Sequence, residues 1–293
     1  MSLSQAGILS QIAPAGRYVT LSVVPGAPAR AVVDRLRRLR VDDTLVVGIG
    51  EPLARAVTAS VPGLRTFPAL SGPGCSVPST QGAVLLHTRD ADHGSTLHSM
   101  RRALAVLGDH VRIEEDLAGF RHDTGRDLSG YEDGTENPKG EAATAAAIVR
   151  GAGAGLDGSS FVAVQRWLHD LASLERLDGH ARDALIGRDR ETNAELADAP
   201  VHAHIRRSQQ ESFEPPAFMV RRSMPYGTAR EHGLFFVAYV AALVTFERML
   251  TRMAGIDDGI VDGLFAFSRP VSGGYYWCPP VDGSELDLRM LGA

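Results

Sequence analysis

The chain has 293 residues, 44% of them hydrophobic and 22% charged, a composition that excludes disorder and suits one large or two ordinary folded units, since single cores stop growing at roughly 250–300 residues. A formal net charge of −5 and a pI near 6.1 exclude the broad basic field that nucleic-acid binding requires. No window approaches about 18 continuous apolar residues, and residues 1–17 lack the basic, apolar and small-residue pattern of an export signal, so no membrane partner and a cytoplasmic location are expected.

In chain order, residues 17–24 (RYVTLSVV) are β-branched and aromatic and stop at Pro25-Gly26, which predicts a strand closed by a turn. Residues 28–40 place Val32, Val33, Leu36 and Leu39 at helical spacing with arginines on the other face. A buried strand is expected at 44–48, another at 83–88, a helix at 93–107 with Leu97, Met100, Leu104 and Leu107 on one stripe, and a strand at 110–117. Two split βαβ units of this kind make a ferredoxin-like antiparallel sheet with helices on one face.

The polar stretch 123–140 marks a boundary, and an alanine-rich helix is expected at 142–149. A second round follows: strand 159–167, helices 169–177 and 182–186, strands 217–222 and 234–240, helix 242–253, and a last strand beginning at 263–267. The expected fold class is therefore α+β, with two ferredoxin-like domains at residues 1–145 and 146–293. Cys75 and Cys278 are the only cysteines; too far apart for a CxxC motif, they read as reduced thiols.

Gly48-Ile-Gly50 lacks the third glycine of a dinucleotide loop and reads as a tight turn. No phosphate-loop, zinc-protease, serine-hydrolase or EF-hand pattern occurs. Residues 130–138 (GYEDGTENP) combine glycines, acids and a proline. The plain reading is a solvated surface loop; the alternative is that glycine lets the backbone approach a flat ligand while Asp133 points a carboxylate toward it. Of the ten histidines, His93, His98, His110, His122, His169 and His180 lie in polar surroundings and are expected to be exposed. His202 and His204 share residues 201–207, on one face if that segment is extended, and spacing does not choose between them. Arg221-Arg222 lies in an apolar stretch: either both heads reach water along an edge strand, or one guanidinium enters a pocket holding an anion.

Taken together, these segments resemble the dye-decolourising peroxidase family, and within it the compact bacterial subgroup without a secretion signal. The resemblance rests on GxxDG at Gly130, Asp133 and Gly134 with its continuation through Pro138, on Ala203-His-Ile-Arg-Arg207, and on Arg221-Arg-Ser-Met-Pro-Tyr-Gly227. Weaker matches are Ser160-Phe-Val-Ala-Val-Gln-Arg-Trp-Leu-His169, Ile186-Gly-Arg188 and Arg269-Pro-Val-Ser-Gly-Gly274. They run in the family's order from about residue 15 to residue 280.

The resemblance implies two ferredoxin-like domains holding one haem b, mainly against the second. It makes His204 the iron ligand, and Asp133 and Arg221 the acid–base and charge-stabilising pair. Gly134, Thr135 and Ser223 are implied as further cofactor contacts, with Ser223 standing where many relatives have Asn. Asp262 is the candidate acceptor for the other ring nitrogen of His204; its plain reading is a turn aspartate. The implied activity is reduction of hydrogen peroxide and oxidation of dyes or other small aromatic electron donors through a ferryl intermediate. It is expected to be favoured in acid, because a salt bridge to Arg221 favours the ionised form of Asp133. Self-association is also implied. The alternative is a haem-binding or iron-releasing protein without a peroxidase role. If 234–240 is a strand, Phe235, Val237 and Tyr239 share one face and are expected to line the pocket beside the haem unless they pack in the core. Tyr239 and Trp167 are candidates to pass electrons to bulky donors at the surface.

Overall fold

A computed structural model describes residues 3–293. The first half supplies β1 (Ala15–Val23), β2 (Leu45–Ile49), β3 (Val84–Asp90) and β4 (Val111–Phe120), hydrogen-bonded in the order β2-β3-β1-β4 with every pair antiparallel. Helices α1 (Ala29–Leu36) and α2 (His93–Leu107) connect them, as the 3.6-residue periodicity predicts. Asp92 fixes the start of α2 by accepting the Ser95 N–H at 2.9 Å. The buried stripe of α2 is Thr96, Met100, Ala103 and Leu107. It is thus rotated from the expected one, and Leu97 faces solvent.

The second half repeats the plan with β5 (Ser160–His169), β6 (Met224–Gly227), β7 (His232–Val240) and β8 (Gly274–Cys278), in the order β8-β5-β7-β6. Its helices include α3 (Gly179–Ile186), α4 (His204–Ser208) and α5 (Leu243–Met253), besides short helices at Gly140–Ala147 and Leu171–Glu175. The fold is α+β, with two ferredoxin-like units. The expected strand at 217–222 is only Val220–Arg221, paired to β7 at Ala238 and Tyr239. The segment at 263–267 is a 3-10 turn, Gly263–Ala266, and the last long strand is β8. Periodicity misjudged this segment because a short apolar run fits either state.

The two sheets meet at both edges, through Trp277 against Ile49 and Gly119 against Tyr226, so the strands close into a ring. Closure removes the exposed edges that an open sheet leaves. Strand alternation then sorts side chains to two sides. Tyr18, Val46, Leu85, Val162, Val164, Phe235, Val237, Tyr239 and Tyr276 belong to one cluster, inside the ring. Val19, Leu21, Val47, Ala163 and Trp167 belong to another, under the helices. His87 is sealed within the ring, stacked on Tyr18 at 4.5 Å and 3.3 Å from the Tyr239 hydroxyl. The two cysteines are unpaired thiols. Gly50 stands before the helix Glu51–Ala56 and is needed because a Cβ there would strike the Gly82 carbonyl. Among the described residues no helix is long and apolar enough to cross a membrane.

Candidate active site

Between the outer face of β5 and β7, helix α5 and the loop 127–136 lies a cavity of about 380 Å³. One wall is apolar, from Leu234, Phe236, Phe246, Met249, Leu250, Met253 and Leu264. The rest is mostly polar and carries Asp133, Gly134, Thr135, His204 and Arg221 together. The wall from β7 is the reverse of the expected face. Phe235, Val237 and Tyr239 point into the ring, while Leu234 and Phe236 line the cavity. Alternation predicts two faces but not which one a distant helix will cover. Trp167 lines the cavity and Tyr239 the ring interior; at 3% and 0% exposure, neither reaches the surface.

His204 opens helix α4, with Ala203 as the residue before it. The segment is helical, so His202 and His204 are not partners on one extended face; the backbone C=O of His202 accepts from Gly263. Two features anchor this helix. The Arg207 guanidinium grips both carboxylate oxygens of Asp258, each at 2.8 Å, and the Arg252 carbonyl at 2.6 Å. Gly187, with φ +91°, lies so close that a Cβ there would stand 2.5 Å from Ile205.

The His204 Nδ1–H donates to Asp262 Oδ2 at 2.8 Å, and Asp262 Oδ1 accepts the Leu264 N–H at 2.8 Å. Asp262 is thus both the turn aspartate and the partner of the imidazole, and its side chain is fully buried. Burial by itself lowers the histidine pKa, but the charge and hydrogen bond of Asp262, helped by Asp133 and opposed by Arg221, hold it above the usual value. The arrangement fixes one tautomer, and Nε2 has no hydrogen bond among the described residues.

Asp133 and Arg221 face one another, Oδ1 to Nη1, at 3.7 Å. Both are partly exposed, and Arg221 Nε is buried without a partner among the described residues. Arg188 is held by Glu136 and Glu195. Ser223 does not line this cavity. It lines a second one, which shares Asp127, Asp133 and Leu234 with the first, and its hydroxyl oxygen accepts the Val237 N–H at 3.2 Å.

His169 is a correction: it is buried, not exposed, with Nε2 3.1 Å from Asp127 Oδ1 and Nδ1 2.6 Å from the Ser268 hydroxyl. Burial raises the Asp127 pKa, yet the hydrogen bond and charge of His169 and the bonds from Ser129 outweigh it and hold the carboxyl low. Nothing local in QRWLH signals this, because the partner lies far away in sequence. Polar neighbours in the chain were a poor guide to polar neighbours in space.

With its Nε2 proton displaced, the His204 imidazole, backed by a buried carboxylate, has the chemistry to bind a metal through that nitrogen. A dry wall beside it suits a flat apolar group, and the unpartnered Nε of Arg221 suits an anion. The residues present therefore fit an iron porphyrin.

Family models described as "Dyp-type peroxidase, N-terminal" and "Dyp-type peroxidase, C-terminal" match residues 5–121 and 124–283. A dye-decolorizing peroxidase of Mycolicibacterium paratuberculosis is 30% identical, with 94% of this chain and 83% of that protein covered. Among solved structures, a dye-decolorizing protein from V. cholerae matches with a TM-score of 0.85 at 31% identity over 94% of this chain and 97% of its own. A variant of DypB from Rhodococcus jostii RHA1 in complex with heme matches with a TM-score of 0.85 at 28% identity over 92% and 94%.

Proposed function

The chain belongs to the Dyp-type peroxidase family, with haem b as its cofactor and dyes among its electron donors, and we propose that His204 would hold the iron while Asp133 and Arg221, in the same cavity, activate hydrogen peroxide. The observation that supports this assignment is the convergence on one cavity of a carboxylate, a guanidinium and an imidazole whose Nε2 has no hydrogen-bond partner among the described residues.

Haem, when bound, supplies an iron that takes peroxide as a ligand and accepts its oxidising equivalents. Asp262 keeps the His204 Nδ1 proton in place, so that Nε2 presents its lone pair to the iron. The Asp133 carboxylate takes the first peroxide proton and returns it to the oxygen that departs as water. Arg221, permanently charged, stabilises the negative charge that grows on that oxygen. Gly134 and Thr135 extend the same wall, and Ser223 meets this region only through the second cavity. Acid-favoured turnover belongs to the same reading and is decided by the pH series of the test below. The division at residues 1–145 and 146–293 is proposed with it, supported by the completion of one strand set within residues 15–120 and the other within 160–278.

Haem carriage or iron release, the rival reading, has no use for an acid–base pair at an open side. The test is dye oxidation by hydrogen peroxide at several pH values for wild type and for His204→Ala, Asp133→Ala and Arg221→Ala. Loss of haem from the first and a fall of at least about a hundredfold in the other two are expected. Wild-type rates in both Asp133→Ala and Arg221→Ala would remove the assignment.

A further inference from the structure

At 3.7 Å the contact between Asp133 and Arg221 is too long for a hydrogen bond. Both groups are partly exposed, so the ion pair by itself cannot hold their geometry. Another side chain does so through the backbone. Asn137 Oδ1 accepts the Arg221 N–H at 2.7 Å, and Asn137 Nδ2 donates to the Arg221 carbonyl at 3.1 Å. One backbone group only donates and the other only accepts, so the amide has a single possible orientation.

Val220–Arg221 is an end strand, paired to β7 on one side alone. The Asn137 amide therefore stands where the next strand of a ladder would, satisfying both main-chain groups of Arg221. Gly134 makes room for it. A Cβ at Gly134 would lie 2.8 Å from Asn137 Nδ2, and the φ there is +78°. The Asn137 N–H closes the turn on the Gly134 carbonyl at 3.0 Å. Asp133 is the residue immediately before this turn.

We propose that Asn137 is the positioning residue of the peroxide-activating pair, tying the backbone of Arg221 to the turn that carries Asp133. The inference rests on the roles given above to Asp133 and Arg221. It also gives Gly134 a second duty: beside its backbone conformation, it must leave space for the amide.

The test uses the haem-loaded protein with Asn137→Ala and with Asn137→Asp, which keeps the acceptor for the Arg221 N–H but sets an oxygen against its carbonyl. Three quantities are read: Soret absorbance for haem content, amide hydrogen exchange at Arg221, and the rate constant for reaction with hydrogen peroxide. In Asn137→Ala the Arg221 amide exchanges faster and the peroxide rate falls about ten- to a hundredfold at unchanged haem content. In an Arg221→Ala background the same substitution has a smaller effect on the peroxide rate, because one of the two side chains it positions is gone. A wild-type peroxide rate in Asn137→Ala overturns the proposal. So does an equal loss in both backgrounds, which is what general destabilisation gives. Should the Ala variant lose its haem, Asn137→Asp is read in its place on the peroxide rate in the two backgrounds, since it keeps the acceptor for the Arg221 N–H. If Arg221→Ala itself keeps the wild-type rate, the assignment of the pair falls; if it loses the rate and Asn137→Ala does not, only the positioning role falls.

Discussion

The His204 imidazole and the Asp262 carboxylate are joined at 2.8 Å, and the carboxylate has no exposed surface. Its second oxygen is committed to the Leu264 N–H, so Asp262 cannot turn away without stranding two donors. Replacing it by Ala is therefore expected to weaken haem binding about ten- to a hundredfold, through loss of orientation and basicity at His204. Soret titration of the apoprotein with haemin measures this. Undiminished affinity would show that the buried carboxylate matters only to the turn.

Gly187 supports the same ligand from behind. With φ at +91° and Ile205 2.5 Å from where a Cβ would stand, Gly187→Ala is both strained and crowded. A loss of about 1–3 kcal/mol in stability is expected, together with weaker haem retention, since the atoms displaced belong to the helix that begins at His204. Urea denaturation followed by circular dichroism gives the first quantity and haem release to apomyoglobin the second.

His87 sets a limit in acid. Burial within the ring, with the charges of Arg89 and Arg222, lowers its pKa from 6.5 to about 3. Between those values the unfolded chain binds a proton that the folded chain refuses. Its contribution to stability is thus complete above pH 6.5 and is lost as the pH falls toward 3. The slope from this one group is at most about 1.4 kcal/mol per pH unit. His87→Gln is expected to flatten the fall of Tm between pH 6.5 and 4 relative to wild type, as scanning calorimetry will show. An unchanged slope would mean that other groups govern the acid limit. Because turnover is expected to favour acid, this histidine narrows the useful range from below.

Local pattern carried most of the fold. Apolar runs and helical spacing placed the four strands of the first half, helix α2 and helix α5 close to their observed bounds, because the helices bury one face and record it as a period, while β2 and β3 are short runs buried on both faces. The motif at Gly130, Asp133 and Gly134 and the histidine at 204 were also legible, through resemblance to a family and not through spacing alone. Segments whose pairing depends on distant residues were not. Val220–Arg221 is two residues long, and the run at 263–267 became a turn capped by Asp262.

Alternation along β7 sets which residues share a face, but not that Leu234 and Phe236 meet the cavity while Phe235 and Tyr239 enter the ring. That choice belongs to closure of the two sheets, which involves strands more than a hundred residues apart. The same holds for His169, which looked solvated beside Asp170 and is buried against Asp127, and for Asn137, one polar residue among many in its loop until the chain brings Arg221 to it. Hydrogen bonds act over about 3 Å, and only the folded chain decides which groups come that close.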